Sequence, residues 1–351
     1  MCRPNQFDVG IGEILLKWLK RIVLGLVAIS ALVVVSGIGY EQWSRWSAAR
    51  EYPPPGELID VDGRNIHLNC TGSGSPTVIL EHGASNYGSV SWVLVQPEIA
   101  KANRVCSYDR DGVNWSDQRV EPRSAIQITD ELHSVLNAAS ESPPYVMVGH
   151  SFGGELIRFY TYRYPQEVSG LVFVDSSHPD QNQRYADLFE YEAEDYTWQD
   201  TIYDRMTAAT GVMRIFDTVV YGVIPEEAKI AHEYTPQSMP SLFREQLAVP
   251  QIRAEIRESG SFGDLPLIVL TGGEGIYGPT PEEAEEMDEA DVVELVKDGQ
   301  LWLDMQGEIA MLSTISDHRV VEHSGNRIPF EAPEEVIRAV HDVIAMTRTV
   351  E

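Results

Sequence analysis

Apolar and polar positions along the 351 residues fall into two regimes. The first is one uncharged run, Ile22 to Tyr40, with Gly25, Ser30, Ser36, Gly37 and Gly39 its only small breaks. At about 1.5 Å per residue a helix of that length spans roughly 30 Å, the thickness of a bilayer core. Arg3, Lys17, Lys20 and Arg21 precede it, and Trp43 and Trp46 follow. Basic residues before a span predict that residues 1–21 stay in the cytoplasm and that the rest of the chain lies outside. A cleaved secretory signal is the rival, but its apolar core is usually only about 7–15 residues, so the length favours an uncleaved anchor at 22–40. Residues 41–55 read as a linker, and Pro53-Pro54-Pro55 predicts a stiff extended end to it.

The second regime, from Gly56 onward, alternates short apolar runs with stripes at helical spacing. Glu57 to Asp62 and Asn65 to Cys70 predict a hairpin turning at Asp62-Gly63. Pro76 to Glu81, Asn103 to Tyr108, Tyr145 to Gly149, Val168 to Asp175, Pro266 to Leu270 and Arg319 to Glu322 read as further strands. Val93 to Lys101 reads as a helix. Ile126, Ile128, Leu132, Val135 and Leu136 stripe a second, and Val336, Ile337, Val340, Val343 and Ile344 a last one starting at Pro333. Strands alternating with helices predict an α/β fold with a mostly parallel sheet and helices on both faces. About 85 residues separate the strands at Val168 and Pro266, far more than a plain connection needs, so that segment carries structure of its own. Pro281 to Lys297 is helical in pattern and densely acidic, which predicts a solvated face.

One stretch carries chemistry. Tyr145-Val146-Met147-Val148 runs into Gly149-His150-Ser151-Phe152-Gly153-Gly154, and a helical pattern follows at once. Strand, sharp turn and helix around Gly-x-Ser-x-Gly is the setting of a nucleophile elbow, in which the serine projects clear of the sheet at a strained backbone position. Glycines let strand and helix approach closely there, and the helix N-terminus favours negative charge developing beside the serine.

With Leu80-Glu81-His82-Gly83-Ala84, Cys106-Ser107-Tyr108-Asp109-Arg110-Asp111-Gly112 and Val174-Asp175-Ser176-Ser177-His178-Pro179, this elbow makes residues 56–351 resemble an α/β-hydrolase. The resemblance implies Ser151 as nucleophile, with the amides of Phe152 and Ala84 as oxyanion donors. It implies a helical cap at about 180–262, where Tyr191, Tyr196, Trp198, Tyr203, Met206, Met213 and Phe216 would mostly pack among helices while a few line the substrate pocket. It also exposes departures. Relatives read Gly-x-Gly-x-Ser after the fourth strand, where this chain has Gly112-Val113-Asn114-Trp115-Ser116. They carry a histidine after the last strand in a Ser-Gly-His setting, where this chain reads Ser324-Gly325-Asn326. Asparagine cannot take and return a proton. His323, three residues earlier, is then the expected base, with His178 and His318 behind it. A site without a base is the alternative. The acid is expected at Asp175, with Glu274 as the other position.

Composition narrows the picture. With 26 basic and 54 acidic residues the net charge is −28, which argues against nucleic acid as a partner. An apolar share of 43% supports a large core. Of the three cysteines, Cys70 and Cys106 fall on neighbouring expected strands beyond the membrane run, so a disulfide is expected between them. No cluster has metal-ligand spacing and no phosphate loop is present, so no cofactor and no metal are expected. The expectation is a hydrolase acting on a small acyl substrate such as an ester, outside the cytoplasm. A binding or scaffold protein on the same fold is the alternative.

Overall fold

The structure is a computed structural model that describes residues 6–119, 123–189, 197–214, 225–274, 276 and 287–350. Tyr191, Tyr196 and Phe216 lie outside the described residues, as does the start of the acidic segment. Eight strands form one sheet in the order β1-β2-β4-β3-β5-β6-β7-β8. They are β1 Glu57–Val61, β2 Arg64–Thr71, β3 Thr77–Glu81, β4 Val105–Tyr108, β5 Tyr145–His150, β6 Val168–Val174, β7 Leu267–Gly272 and β8 Ser316–Val321. The hairpin β1–β2 and the β2–β4 pair are antiparallel, and the remaining pairs are parallel. This is the α/β-hydrolase fold. Asp62 and Gly63 both take positive φ at the hairpin turn, +53° and +76°. Cys70 and Cys106 are register partners on β2 and β4 and form the expected disulfide.

The parallel strands are apolar on both faces because helices cover both. Val78, Leu80, Val146, Val148, Val172, Val174, Ile268 and Leu270 pack on one side, and Ile79, Met147, Leu171, Phe173, Leu267 and Val269 on the other. Each of these side chains is at most 1% exposed, and burial of each stabilises by about 1.5–3 kcal/mol. Helix α3, Ala125–Ala138, starts on a capping box: Gln127 N–H donates to Ser124 Oγ, and Ser124 N–H donates to the Gln127 side chain. The elbow helix α4 is Phe152–Arg163.

Among the described residues, the helices α5 Gln181–Phe189, α6 Trp198–Ala209 and α7 Ile230–Ile256 lie between β6 and β7. The sheet ends with α8 Glu289–Ala310 before β8, and α9 Ile328–Glu331 and α10 Pro333–Val350 after it. Two readings of pattern need adjusting. The acidic helix does not stop at Lys297. Its exposed first half continues to Ala310, where Met305 and Ile309 are buried on the core. Within Val93 to Lys101 only a short helix α2, Gln96–Ile99, forms, with Pro97 in its first turn, and a 3-10 turn at Gly88–Trp92 precedes it.

The largest departure is at the N-terminus. Helix α1 runs unbroken from Gln6 to Glu51, so residues 41–51 are helical rather than an extended linker. Within it Ile14–Glu51 is long and apolar enough to cross a membrane, and its apolar side chains up to Tyr40 stand exposed. The end of the helix is held by polar contacts. Glu41 is fully buried and pairs with Arg45 at 2.7 Å and with Arg214 at 2.8 Å. Arg45 Nη2 donates to the Pro236 carbonyl at 3.2 Å. That carbonyl is free because Pro240, one turn on in α7, has no N–H to give it. Tyr234 Oη and Trp115 Nε1 both donate to the Tyr52 carbonyl, at 2.7 and 3.0 Å.

Candidate active site

Ser151 sits between β5 and α4 with φ +50° and ψ −122°. A non-glycine residue held there costs on the order of 1–3 kcal/mol, and the surroundings enforce it. Ser151 N–H donates to the Val174 carbonyl, and its own carbonyl accepts from Gly154 and Ser177 N–H. The glycines are needed for close approach. A Cβ on Gly149 would lie 2.6 Å from the Gly153 carbonyl oxygen, and one on Gly153 would lie 2.4 Å from the Glu81 carbonyl oxygen. Phe152 N–H opens α4, where the first amides have no partner within the helix. Ala84 is exposed beyond the end of β3. A Cβ on Gly83 would be 3.2 Å from both Ser151 Cβ and His150 Nδ1, so this loop lies directly against the elbow.

The loop at His82 and Gly83 is pinned from below by Arg110, which is wholly buried. Its guanidinium donates to the His82 and Gly83 carbonyls at 2.6 and 2.9 Å, and pairs with Glu81 at 2.6 Å and with Glu245 of α7 at 2.8 Å. Tyr108 Oη completes the contacts of Glu81. Burial pushes Glu81 up, and the Arg110 charge opposes that. His82 is held neutral, well below the usual histidine range, by burial and by the charge of Arg110. Its Nε2 accepts from Arg110 N–H, so Nδ1–H donates to the Gly83 carbonyl.

Asp175, at the end of β6 with φ +42°, is buried and fully engaged. Oδ1 accepts from Gly272 N–H at 3.0 Å and Trp302 Nε1–H at 2.9 Å, and Oδ2 accepts from Asn326 Nδ2 at 2.7 Å. Asn326, where the resemblance leads one to expect a histidine, makes this bond to Asp175 through its side-chain amide. The Asn326 carbonyl accepts from His150 Nε2 at 2.7 Å. With the proton on Nε2, His150 Nδ1 is a bare acceptor, buried and without a hydrogen bond. Burial lowers the affinity of this ring for a second proton.

The other candidates are dispersed. His323 is exposed in the turn after β8, with no hydrogen bond to Asp175 among the described contacts. Glu274 is exposed; its amide donates to the Ser324 carbonyl at 3.0 Å, and its carboxylate lies over Gly325. His318 lies on β8 with Nε2 2.8 Å from Thr271 Oγ1. His178 is turned toward α8, with Nε2 3.4 Å from Glu308, and burial followed by the nearby Arg184 lowers it to about 4. Ser151, the 82–84 loop, Asp175 and Asn326 thus converge, and of the acid candidates only Asp175 bonds Asn326. Sequence reasoning missed His150, Arg110 and Trp302. His150 was visible inside the elbow motif itself. Trp302 carried no signal, since it reaches Asp175 across 127 positions.

Known proteins match this fold. Residues 76–205 match the family model described as alpha/beta hydrolase fold. An uncharacterised Bacillus subtilis protein, YbdG, is 25% identical over 171 residues, 48% of this chain and 52% of that one, so the chain spans about half the length of that relative. An epoxide hydrolase structure superposes with TM-score 0.57 at 17% identity, covering 82% of this chain and 96% of that one. An esterase from Exiguobacterium antarcticum superposes with TM-score 0.55 at 16% identity, covering 83% and 99%. At such identities the two structures establish the α/β-hydrolase fold, and the family model matches residues 76–205 within it.

Proposed function

We propose that this protein is a membrane-anchored serine hydrolase that cleaves an ester or similar small acyl compound outside the cytoplasm. The observation that carries the reading is the backbone of Ser151, held at positive φ between β5 and α4 with the Phe152 amide next to it. In acylation Ser151 Oγ attacks the acyl carbon, and the carbonyl oxygen becomes an oxyanion between the amides of Phe152 and Ala84. The serine proton passes to a base and then to the departing alcohol. Water repeats the sequence to release the acid. That a relative by fold is an esterase supports the substrate class.

His323 is the base in this reading. It stands in the turn that carries Asn326, three residues before it. The Asn326–Asp175 bond favours a second reading, a site that binds or traps acyl compounds without turning them over. A fluorophosphonate probe followed by intact-mass measurement tests both. Labelling at Ser151 with turnover of a p-nitrophenyl ester supports the hydrolase. Labelling without turnover supports the second reading. No adduct after long incubation of folded protein overturns both. The anchor reading rests on the exposed apolar length of α1, and its test is retention in the membrane pellet after alkaline carbonate extraction.

A further inference from the structure

Helix α6 is built the wrong way round for a soluble cap. Among its described side chains Ala208 is the buried one, at 1% exposure, while Ile202, Tyr203 and Met206 stand 49%, 68% and 64% exposed. These three positions, spaced i, i+1 and i+4, share one side of the helix. Leaving such side chains in water forfeits about 1.5–3 kcal/mol each. The end of α6 is also fixed relative to the candidate membrane span. A Cβ on Gly37 would lie 2.6 Å from the Thr210 carbonyl oxygen, so α1 and the residue just after α6 are in backbone contact. Gly37 is inside the apolar run, about 4–5 Å along the helix from its end at Tyr40. The contact is locked on its outer side by the buried Glu41, paired with Arg45 and with Arg214, four residues beyond Thr210.

We propose that the exposed side of α6 is a bilayer-docking face: Ile202, Tyr203 and Met206 insert beside α1 into the leaflet that α1 leaves, and the cap lies on the lipid surface. Three observations choose lipid as the occupant. The face adjoins a helix whose own apolar side chains are exposed along more than a bilayer's length. The α1–α6 contact is at the depth where acyl chains begin. Arg205, exposed between these apolar residues, is placed to reach lipid phosphate while its neighbours point inward. The face is also coupled to the site: α6 packs on α7, and Glu245 of α7 pairs with the Arg110 that pins the 82–84 loop.

The inference rests on α1 as an anchor but not on catalysis, and its test reads no activity. The full chain with Cys2→Ser and Met206→Cys is labelled with an environment-sensitive NBD dye and reconstituted in phosphatidylcholine vesicles. A second sample carries the dye at Met311→Cys, 72% exposed just before β8 at the opposite end of the parallel strands. The expected result is a blue-shifted emission at 206, severalfold stronger quenching there by lipids spin-labelled near the glycerol end of the acyl chain, and severalfold weaker quenching by iodide than at 311. Tyr203→Cys repeats the measurement should the first variant fold poorly. Equal iodide access at 206 and 311 overturns the proposal. So does a site shielded from iodide yet unquenched by lipid, which would assign the face to a second copy or another protein. Carbonate extraction of the same vesicles separates the failures. Release of the protein overturns anchor and docking together, whereas retention with a wet 206 overturns docking alone.

Discussion

The elbow after β5 and the turn after β8 meet at Asp175, but different kinds of force hold them. The elbow is a backbone object. Its serine is strained, its glycines have no room for a Cβ, and its hydrogen bonds are mostly main-chain. The turn is a side-chain object. Ser324 Oγ and Gly325 N–H both donate to Glu331 at 3.0 Å, and Asn326 donates to Asp175. A Cβ on Gly325 would meet side chains alone, nearest the Glu274 carboxylate at 3.3 Å. A backbone object resists substitution because every change alters its geometry. A side-chain object can exchange histidine for asparagine and keep its shape. The elbow half accordingly keeps the geometry expected of it, while the turn carries asparagine where a histidine was expected.

The comparison breaks first at Ser151. Ser151→Ala is expected to abolish probe labelling and lower ester hydrolysis by at least about a thousandfold, as loss of a triad nucleophile does, with an unchanged thermal transition. Residual labelling at another residue would show that the elbow is not the reactive half.

The next largest effect concerns the turn. His323→Ala is expected to lower kcat/KM about a thousandfold, near 4 kcal/mol of barrier, while Asn326→His changes the rate little. The reverse pattern, an unaffected His323→Ala and a large gain in Asn326→His, would establish the acyl-trapping reading. The assay is initial-rate hydrolysis of a p-nitrophenyl ester.

Two glycines sharpen the contrast without touching chemistry. Gly149→Ala forces a Cβ to 2.6 Å from a backbone oxygen and is expected to destabilise by about 3 kcal/mol or more. Gly325→Ala meets a movable carboxylate end and is expected to cost under about 1 kcal/mol. Urea denaturation of both proteins measures the difference, and equal losses would refute the division into backbone and side-chain halves.

The smallest effect is on pH. His178 is held neutral at about 4 in the folded protein against an ordinary 6.5, chiefly by burial. The unfolded chain therefore takes up this proton first as pH falls. The contribution is complete above about 6.5 and is lost progressively down to about 4, on the order of 2–3 kcal/mol. His178→Gln should flatten that part of the stability profile, read by denaturation at pH 7 and pH 4.5, while leaving hydrolysis at pH 7 within a few-fold. A collapse of activity instead would move His178 into the catalytic machinery.

Local patterns carried much of this molecule. The eight strands, the elbow with its serine, the disulfide partners and the apolar N-terminal run are each legible because period, glycine placement or residue type encodes them within a few positions. Boundaries were less legible. Nothing local marks that α1 continues to Glu51, because the buried partners of Glu41 and Arg45 are Arg214 and the Pro236 carbonyl, more than 170 residues away. The departure at Asn326 could be read in sequence, but not what it bonds. Gly272, Trp302 and Asn326 reach one carboxylate from three separate segments, and only packing of the sheet against α8 brings them together. Likewise the hydrophobicity of Ile202, Tyr203 and Met206 was plain, but whether such residues face a core or the outside depends on the helix rotation set by α1 and α7. Short-range chemistry is written along the chain. The pairing of distant side chains, and the side of a helix left exposed, arise only when the chain closes on itself.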